Sequence, residues 1–104
     1  MTKKVNNNMK LYRYFEDCGR MGAIEGLFFS NPEELAKLQE HHLYWFDLLG
    51  KHSEGFYDFS KDCVEEINIP EEAAAILYEA MGKVISGPFD FDYFEEYITE
   101  SEEQ

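Results

Sequence analysis

Two β-rich segments joined by a glycine-bounded turn constrain the fold of this chain most strongly. KLYRYFEDC (residues 10–18) is followed by the turn GRMG and then by AIEGLFFS (residues 23–30). Strand-forming runs on both sides of a short glycine-containing turn predict a β-hairpin. Gly26, inside the second run, predicts a bulge or the close approach of another backbone. Alternation along the first run places two pairs of side chains on opposite faces, Leu11 with Phe15 and Tyr12 with Tyr14.

A short helix and three more strands are predicted after this hairpin. In NPEELAKLQ, Asn31 is the expected N-cap, Pro32 the first helical residue and Glu34 the second member of a capping box. Leu35 and Leu38 of the same segment are expected to point towards the core. Three further strands are predicted at residues 41–49, 55–60 and 63–69, because these segments are rich in aromatic and β-branched residues.

The clearest helix is predicted over residues 70–86. Pro70 opens it, two glutamates occupy its first turn, and Gly87 and Pro88 end it. Its apolar stripe contains Ala73, Ile76, Leu77, Ala80, Met81 and Val84. With a last helix near the C-terminus, the order is β-β-α-β-β-β-α-α. This order predicts an α+β fold, in which an antiparallel sheet of four to five strands carries two to three helices on one face.

The length of 104 residues predicts a single domain. We assign residues 10–100 to that domain, residues 1–9 to a flexible basic leader and residues 101–104 to a frayed acidic C-terminus. No apolar run approaches the roughly 20 residues of a membrane-spanning helix, and no apolar segment follows the basic N-terminus as in a secretory signal. Cys18 and Cys63 are too few for a disulfide framework, so the features together predict a cytoplasmic protein.

The charge of the chain narrows its possible partners. The formal net charge is −13, and no Lys or Arg follows Lys83. Such a composition excludes direct binding to nucleic acid and attraction to anionic membranes, because both require clustered Lys and Arg. It favours a basic protein surface as the partner. The alternative is that the charge only keeps the protein soluble.

The C-terminal segment DFDYFEEYITESEEQ combines acidic with aromatic side chains. On a helix with about 100° per residue, Phe94, Tyr97 and Ile98 fall on one side, and Asp92 with Glu95 forms a cap pattern. The opposite side carries a row of acids, Asp92, Glu95, Glu96, Glu100 and Glu103. We therefore predict a folded acidic surface that imitates the charge of nucleic acid. An ordinary solvated helix face is the alternative.

Two glycine-bounded loops support a second hypothesis. CGRMGAIEG places Arg20 between glycines, and LLGKHSEG contains Lys51, His52 and Ser53. Glycine lets backbone amides approach an anion closely, and Arg or Lys supplies the charge. If both loops lie at the same end of the sheet, they would bind a small anionic ligand such as a nucleotide. Neither loop matches a known phosphate-binding motif, and ordinary hairpin turns use the same residue types.

The sequence contains no clear catalytic or metal-binding pattern. His52 and Ser53 are neighbours, but side chains adjacent along a turn point apart. A Cys–His pair would require Cys18 to meet a histidine, and only the presence of both residue types favours it. His41 and His42 lack the spacing of zinc ligands. We therefore predict a protein that is not an enzyme and has no cofactor and no metal.

The stretches GRMGAIEGLFF and LGKHSEG resemble segments of small uncharacterised bacteriophage-encoded proteins. The resemblance covers about residues 11–54 and carries over no catalytic or binding residue. It implies an accessory protein in the host cytoplasm that acts on host machinery, such as restriction or CRISPR systems, by occupying a site meant for DNA or RNA.

The resulting hypothesis is a non-enzymatic inhibitor of a basic, nucleic-acid-binding host protein. The acidic row at residues 92–103 would carry the binding, without direct contact to nucleic acid or membrane. A small-ligand binder that uses the two glycine-bounded loops is the alternative. A third possibility is a subunit that forms a homodimer through aromatic side chains, with Tyr12, Tyr14, Tyr44 and Tyr57 as candidates.

Overall fold

In a computed structural model, which describes residues 9–102, the chain forms two antiparallel sheets and three α-helices. The strands are β1 (Lys10–Asp17), β2 (Ala23–Ser30), β3 (Tyr44–Phe46), β4 (Glu54–Phe56), β5 (Val64–Ile67) and β6 (Val84–Ser86), and the helices are α1 (Pro32–Glu40), α2 (Glu71–Met81) and α3 (Phe91–Glu102). The larger sheet has the order β5-β1-β2-β6, and β3 pairs with β4. The predicted α+β class is confirmed. Except for Met9, the predicted leader lies outside the described residues.

Strands β1 and β2 form the predicted hairpin, in register from Lys10 opposite Ser30 to Asp17 opposite Ala23. A single 3-10 turn, Gly19–Met21, connects them. Strand β6 approaches β2 so closely that the Ser86 carbonyl oxygen lies 2.5 Å from the position of a Cβ on Gly26. The predicted backbone approach at Gly26 is therefore confirmed, and the β2–β6 register shifts immediately after it.

The strands in the middle of the chain are shorter than the sequence indicated. Strand β3 ends at Phe46, because Asp47 turns the backbone to a φ of 58°. Strand β4 ends at Phe56, and the following Tyr57 and Phe59 pack in and against the core instead of continuing the strand. Aromatic content alone does not distinguish a strand from a loop whose rings are buried. The predicted strands over residues 41–49 and 55–60 are therefore wrong outside the short β3 and β4.

The predicted helix over residues 70–86 is two elements. Helix α2 ends at Met81, and Gly82 closes it with a φ of 85° and a hydrogen bond from its N–H to the Tyr78 carbonyl at 2.8 Å. With a ψ of −168°, Gly82 adopts a backbone conformation that is almost confined to glycine. The residues of β6 then join the sheet beside β2, so the sequence analysis missed one strand.

The two faces of the larger sheet are covered by different elements. One face contributes Tyr12, Tyr14 and Phe28 to the main core, which α1, α3 and the β3–β4 hairpin complete. On the other face, Tyr78 of α2 packs against Phe29 with ring centroids 5.2 Å apart. Helices therefore lie on both faces, not on one as predicted. The predicted stripe of α2 is also wrong, since two of its members are 68% and 52% exposed, Ile76 and Met81.

Helix α1 begins at the predicted cap. The Asn31 side chain accepts a hydrogen bond from the Glu34 amide at 2.8 Å. The predicted capping box is incomplete. The Glu34 carboxylate does not bind the Asn31 N–H but accepts hydrogen bonds from Ser30 Oγ and from Lys83 Nζ. Lys83 Nζ also lies 4.6 Å from the centroid of the Phe91 ring. This ammonium group therefore links the start of β6 to both α1 and α3.

Candidate interaction surface on helix α3

Asp90, not Asp92, caps α3. The Asp90 carboxylate accepts a hydrogen bond from the Tyr93 amide at 3.1 Å, and its carbonyl accepts one from the Phe94 amide at 3.0 Å. Asp92 lies in the first turn, where an acid interacts favourably with the helix dipole. The predicted cap is therefore wrong by two residues. At its other end α3 includes Ser101 and Glu102, which the sequence analysis assigned to a frayed terminus.

Two side chains hold α3 on the domain. Phe94 and Ile98 are 2% and 7% exposed, and the Phe94 ring centroid lies 5.3 Å from that of Tyr57. Burial of each such side chain contributes roughly 1.5–3 kcal/mol before entropy is subtracted. Tyr97, predicted on the same side, is 36% exposed and lies at the edge of this face, 6.3 Å from the His41 ring. The C-terminal segment is thus a packed helix, with Tyr97 at the border of its buried face.

The outer face of α3 carries three carboxylates in line. Asp92, Glu96 and Glu100 are exposed, and their spacing of four residues places consecutive members about 6 Å apart along the helix axis. The helical period puts Glu96 directly opposite the midpoint between Phe94 and Ile98. We call these three carboxylates the acidic row below. Their positions are fixed because the opposite face is buried.

The other predicted members of the row differ in position. Glu95 is exposed but borders a groove of about 300 Å³ between α1 and α3. Glu103 lies outside the described residues. Near the groove, Lys37 Nζ lies 3.4 Å from the Glu102 carboxylate, and both side chains are about half exposed. Of the ion pairs among residues 9–102, this one alone involves α3. The acidic row is therefore not neutralised within this part of the chain.

The first glycine-bounded loop lies beside the start of the second. A Cβ on Gly22 would lie 3.8 Å from Leu49 Cδ2, so the 3-10 turn touches the segment that leads to the second loop. Arg20, Lys51 and His52 are all exposed. The shared anion site stays a hypothesis.

One residue of that proposed anion site has a structural role instead. Ser53 is 9% exposed, and its hydroxyl donates to the Gly50 carbonyl at 2.7 Å and accepts from the Leu49 amide at 3.2 Å. The backbone N–H of His52 donates to the Asp47 carboxylate at 2.8 Å. These hydrogen bonds shape the turn and occupy the Ser53 hydroxyl. A ligand would have to depend on Arg20, Lys51 and the His52 ring.

Neither cysteine has the surroundings of a nucleophile. Burial, followed by the charges of Glu16 and Asp17, raises the pKa of Cys18. Burial, followed by the charge of Asp58, raises the pKa of Cys63 to about 12. The Asp58 carboxylate lies 3.6 Å from Cys63 Sγ and accepts its hydrogen bond. Both thiols are therefore protonated at neutral pH, which disfavours nucleophilic catalysis.

We expect Cys63 to react slowly with thiol reagents. At mildly alkaline pH the thiolate fraction of a group with a pKa of about 12 is far smaller than that of a free thiol, so alkylation should be at least about tenfold slower in the folded chain than in denaturant. A Cys18→Ser variant allows Cys63 to be followed alone. Asp58→Asn should accelerate the reaction, because it removes a charge that raises the pKa. Equal rates in folded and unfolded chains would contradict this assignment.

Sequence reasoning missed an aromatic cluster on the outer face of the β3–β4 hairpin. The ring centroid of Tyr44 lies 4.9 Å from that of Phe46 and 4.5 Å from that of Phe56, and all three rings are exposed. The tyrosine set predicted to form a dimer surface is largely wrong, because three of its members pack in or against the core, Tyr12, Tyr14 and Tyr57. Only the alternation within YWF could have indicated which side chains face outwards.

Comparison of the chain with protein-family models, curated proteins and solved structures finds no significant match. The resemblance to phage-encoded segments therefore stays a prediction. Within residues 9–102, no helix combines the length and apolar character needed to cross a membrane.

Proposed function

We propose that this protein is a non-enzymatic interaction protein that binds a basic protein surface through the acidic face of α3. The observation that carries the proposal is the acidic row of Asp92, Glu96 and Glu100, exposed on a helix whose opposite face is buried. A packed helix presents carboxylates in fixed positions, so binding does not have to order them first. The net charge of −13 extends the attraction beyond the contact itself.

A protein that binds nucleic acid is the partner best suited to this surface. Its phosphate-binding face carries clustered Lys and Arg, and those side chains bind carboxylates as well as phosphates. The spacing of about 6 Å in the acidic row is of the same order as the rise of roughly 3.4 Å per phosphate along one DNA strand. By occupying the basic face, the protein would keep nucleic acid away from it.

The groove between α1 and α3 extends the acidic surface. Among the described residues that line it, Lys37 is the one base, and four are acids. Glu34 and Glu102 pair with Lys83 and Lys37, whereas Glu33 and Glu95 take part in no ion pair among residues 9–102. A Lys or Arg side chain of the partner would place its apolar stem against the buried rings and its charge among these carboxylates. The groove therefore supports contact with long basic side chains rather than with a flat neutral surface.

The test compares two variants with the same change in charge. In the first, Asp92→Asn, Glu96→Gln and Glu100→Gln neutralise the acidic row. In the second, Glu71→Gln, Glu72→Gln and Glu79→Gln remove three exposed acids from α2. Exposed ion pairs contribute about 0.2–1 kcal/mol each, so the row variant should bind the partner more weakly by about 0.6–3 kcal/mol, or roughly 3- to 150-fold. The α2 variant should bind nearly as the wild type does.

The measurement begins with capture of proteins from a lysate on the immobilised wild-type and variant chains. Proteins held by the wild type and not by the row variant are purified, and their affinity is followed from about 50 to about 200 mM salt, over which an electrostatic complex weakens steeply. DNA or RNA should compete. Equal binding by both variants, or an affinity independent of salt, would overturn the proposal. Retention of a nucleotide that is lost on Arg20→Ala would instead favour the small-ligand alternative.

A further inference from the structure

The β3–β4 hairpin presents an apolar face with no covering element among the described residues. Tyr44, Phe46 and Phe56 are 37%, 59% and 49% exposed. His42 extends the cluster, with its ring 5.4 Å from that of Phe56. With roughly 150–250 Å² for a whole aromatic side chain, the three rings expose about 300 Å². A contiguous apolar patch of that size on a small protein is commonly an interaction site.

No strand within residues 9–102 pairs with the outer edge of β3. The Tyr57 amide donates to the Leu43 carbonyl, and the Asp47 amide donates to the Ser53 carbonyl, so the backbone groups of Leu43 and Asp47 face β4. Groups of alternate residues along a strand point in opposite directions. Those of Tyr44 and Phe46 therefore point away from β4, and the backbone hydrogen bonds among residues 9–102 supply no partner for them.

The hairpin also carries little net charge for a segment of this acidic chain. Residues 41–57 contain Lys51 against Asp47 and Glu54, a net charge of −1, whereas the whole chain carries −13. All three histidines lie in the same segment. A basic partner would be drawn to the acidic surfaces instead. Two copies of this chain repel each other less when these segments meet than when their acidic surfaces meet, because like charges brought together destabilise an interface.

We infer that a second copy of this chain binds along the edge of β3, forming a two-fold symmetric dimer. Antiparallel pairing centred on Trp45 places Tyr44 opposite Phe46 of the second copy, and Phe46 opposite its Tyr44. In that register the outward backbone groups of both residues exchange hydrogen bonds, as the antiparallel pattern requires. Pairing along β4 would instead place Glu54 opposite Phe56, with a charge beside the rings. The β3 edge is therefore the site of self-association.

The resulting interface joins two hairpins into one four-stranded sheet with six clustered rings. A two-fold axis requires a self-complementary surface, and an aromatic strand edge meets this condition. A standard interface buries about 800 Å² on each partner, of which the rings supply about a third at most. We therefore expect a dimer that forms at high micromolar concentration and dissociates on dilution.

The experiment measures mass by sedimentation equilibrium over a concentration series, for the wild type and two matched variants. Phe46→Glu and Ile76→Glu each place one acid at an exposed apolar position, 59% and 68% exposed respectively. The wild type should shift from 12.2 kDa towards twice that mass. Phe46→Glu should weaken the dimer at least about tenfold, and Ile76→Glu should leave it unchanged. Thermal melting checks that both variants are folded.

Two further readouts identify the edge and separate this inference from the proposed function. Amide exchange at Tyr44 and Phe46 should slow as the dimer forms, while exchange at Glu54 and Phe56 should not. Added salt should strengthen the dimer, because it screens the repulsion between two copies of charge −13, whereas it should weaken binding to a basic partner. A chain that stays monomeric at all concentrations, or a dimer that both variants weaken equally, would overturn the inference. Loss of a captured basic partner on Phe46→Glu without any dimer would assign the patch to that partner instead.

Discussion

Replacing Phe94 with Ala should destabilise the chain by about 3–5 kcal/mol, the cost of removing a buried phenyl ring. The Phe94 ring is 2% exposed and lies among other rings, 5.3 Å from Tyr57 and 5.3 Å from Phe91 by their centroids. Small domains have a total stability of only about 5–15 kcal/mol. The lost free energy is therefore a large part of the packing energy that holds α3 on the domain. Binding through the acidic row should weaken although no charge has changed.

Tyr97→Ala is the matched control, because Tyr97 lies on the same helix but is 36% exposed. We expect it to cost about 1 kcal/mol or less, as is usual for residues that are not buried. Both variants are compared by chemical denaturation and by partner affinity. A Phe94→Ala chain as stable as the wild type would show that α3 is not packed on the domain, and the acidic row would then have no fixed geometry.

The correctly predicted elements are those whose ends are determined by a few neighbouring residues. The β1–β2 hairpin follows from two strand-forming runs around a turn bounded by Gly19 and Gly22, both with positive φ. Helix α1 follows from Asn31 and Pro32, since a cap and a proline at the first helical position specify the same start. In each case the turn or cap residues and the apolar pattern favour the same structure, and tertiary packing is consistent with it.

Tertiary packing decided the elements that the sequence analysis assigned wrongly. Helical periodicity continues past Met81 to Val84, but Gly82 ends α2 and lets residues 84–86 pair with β2. The sequence offers two stops, Gly82 and Gly87, and only the presence of a free sheet edge selects the earlier one. The buried side of α2 could not be predicted either, because it depends on packing against the sheet. Tyr78 contacts Phe29, whereas Ile76 faces solvent.

One part of the candidate site could be predicted from the sequence, and another part could not. The separation of Phe94 and Ile98 from the acidic row follows from the helical period alone, so it could be predicted. The cap could not, because Asp90 and Asp92 both suit the position and the glutamate at 95 favoured the second. The outward rings of β3 were hidden for a different reason. The alternation of YWF allows either Trp45 or the pair Tyr44 and Phe46 to face inwards. Trp45 is buried against Gly55, so the other two rings face outwards.

Gly26→Ala should destabilise the chain by about 3 kcal/mol or more, at the upper end of the cost of overpacking. An added methyl group would lie 2.5 Å from the Ser86 carbonyl oxygen, 2.6 Å from Phe89 Cε2 and 2.8 Å from Gly87 Cα. Two of these atoms belong to the backbone, so β6 itself would have to move. Phe89 packs against the Phe28 ring at 5.3 Å, and the chain enters α3 two residues later. The substitution should therefore also disturb the position of the acidic row.

Gly82→Ala provides the control for this prediction, because it changes backbone conformation without crowding. Gly82 has a φ of 85° with a ψ of −168° and no atom within 4 Å of an added Cβ, so its substitution should cost about 1–3 kcal/mol through backbone strain. Urea denaturation gives the free energies of unfolding. Amide exchange at Leu27 and Phe29 reports the β2–β6 pairing, because their N–H groups donate to Ser86 Oγ and to the Lys83 carbonyl. If Gly26→Ala costs less than Gly82→Ala and leaves exchange at Leu27 unchanged, β6 does not lie against Gly26. In that case the sheet edge that leads into α3, and with it the placement of the acidic row, would need a different arrangement.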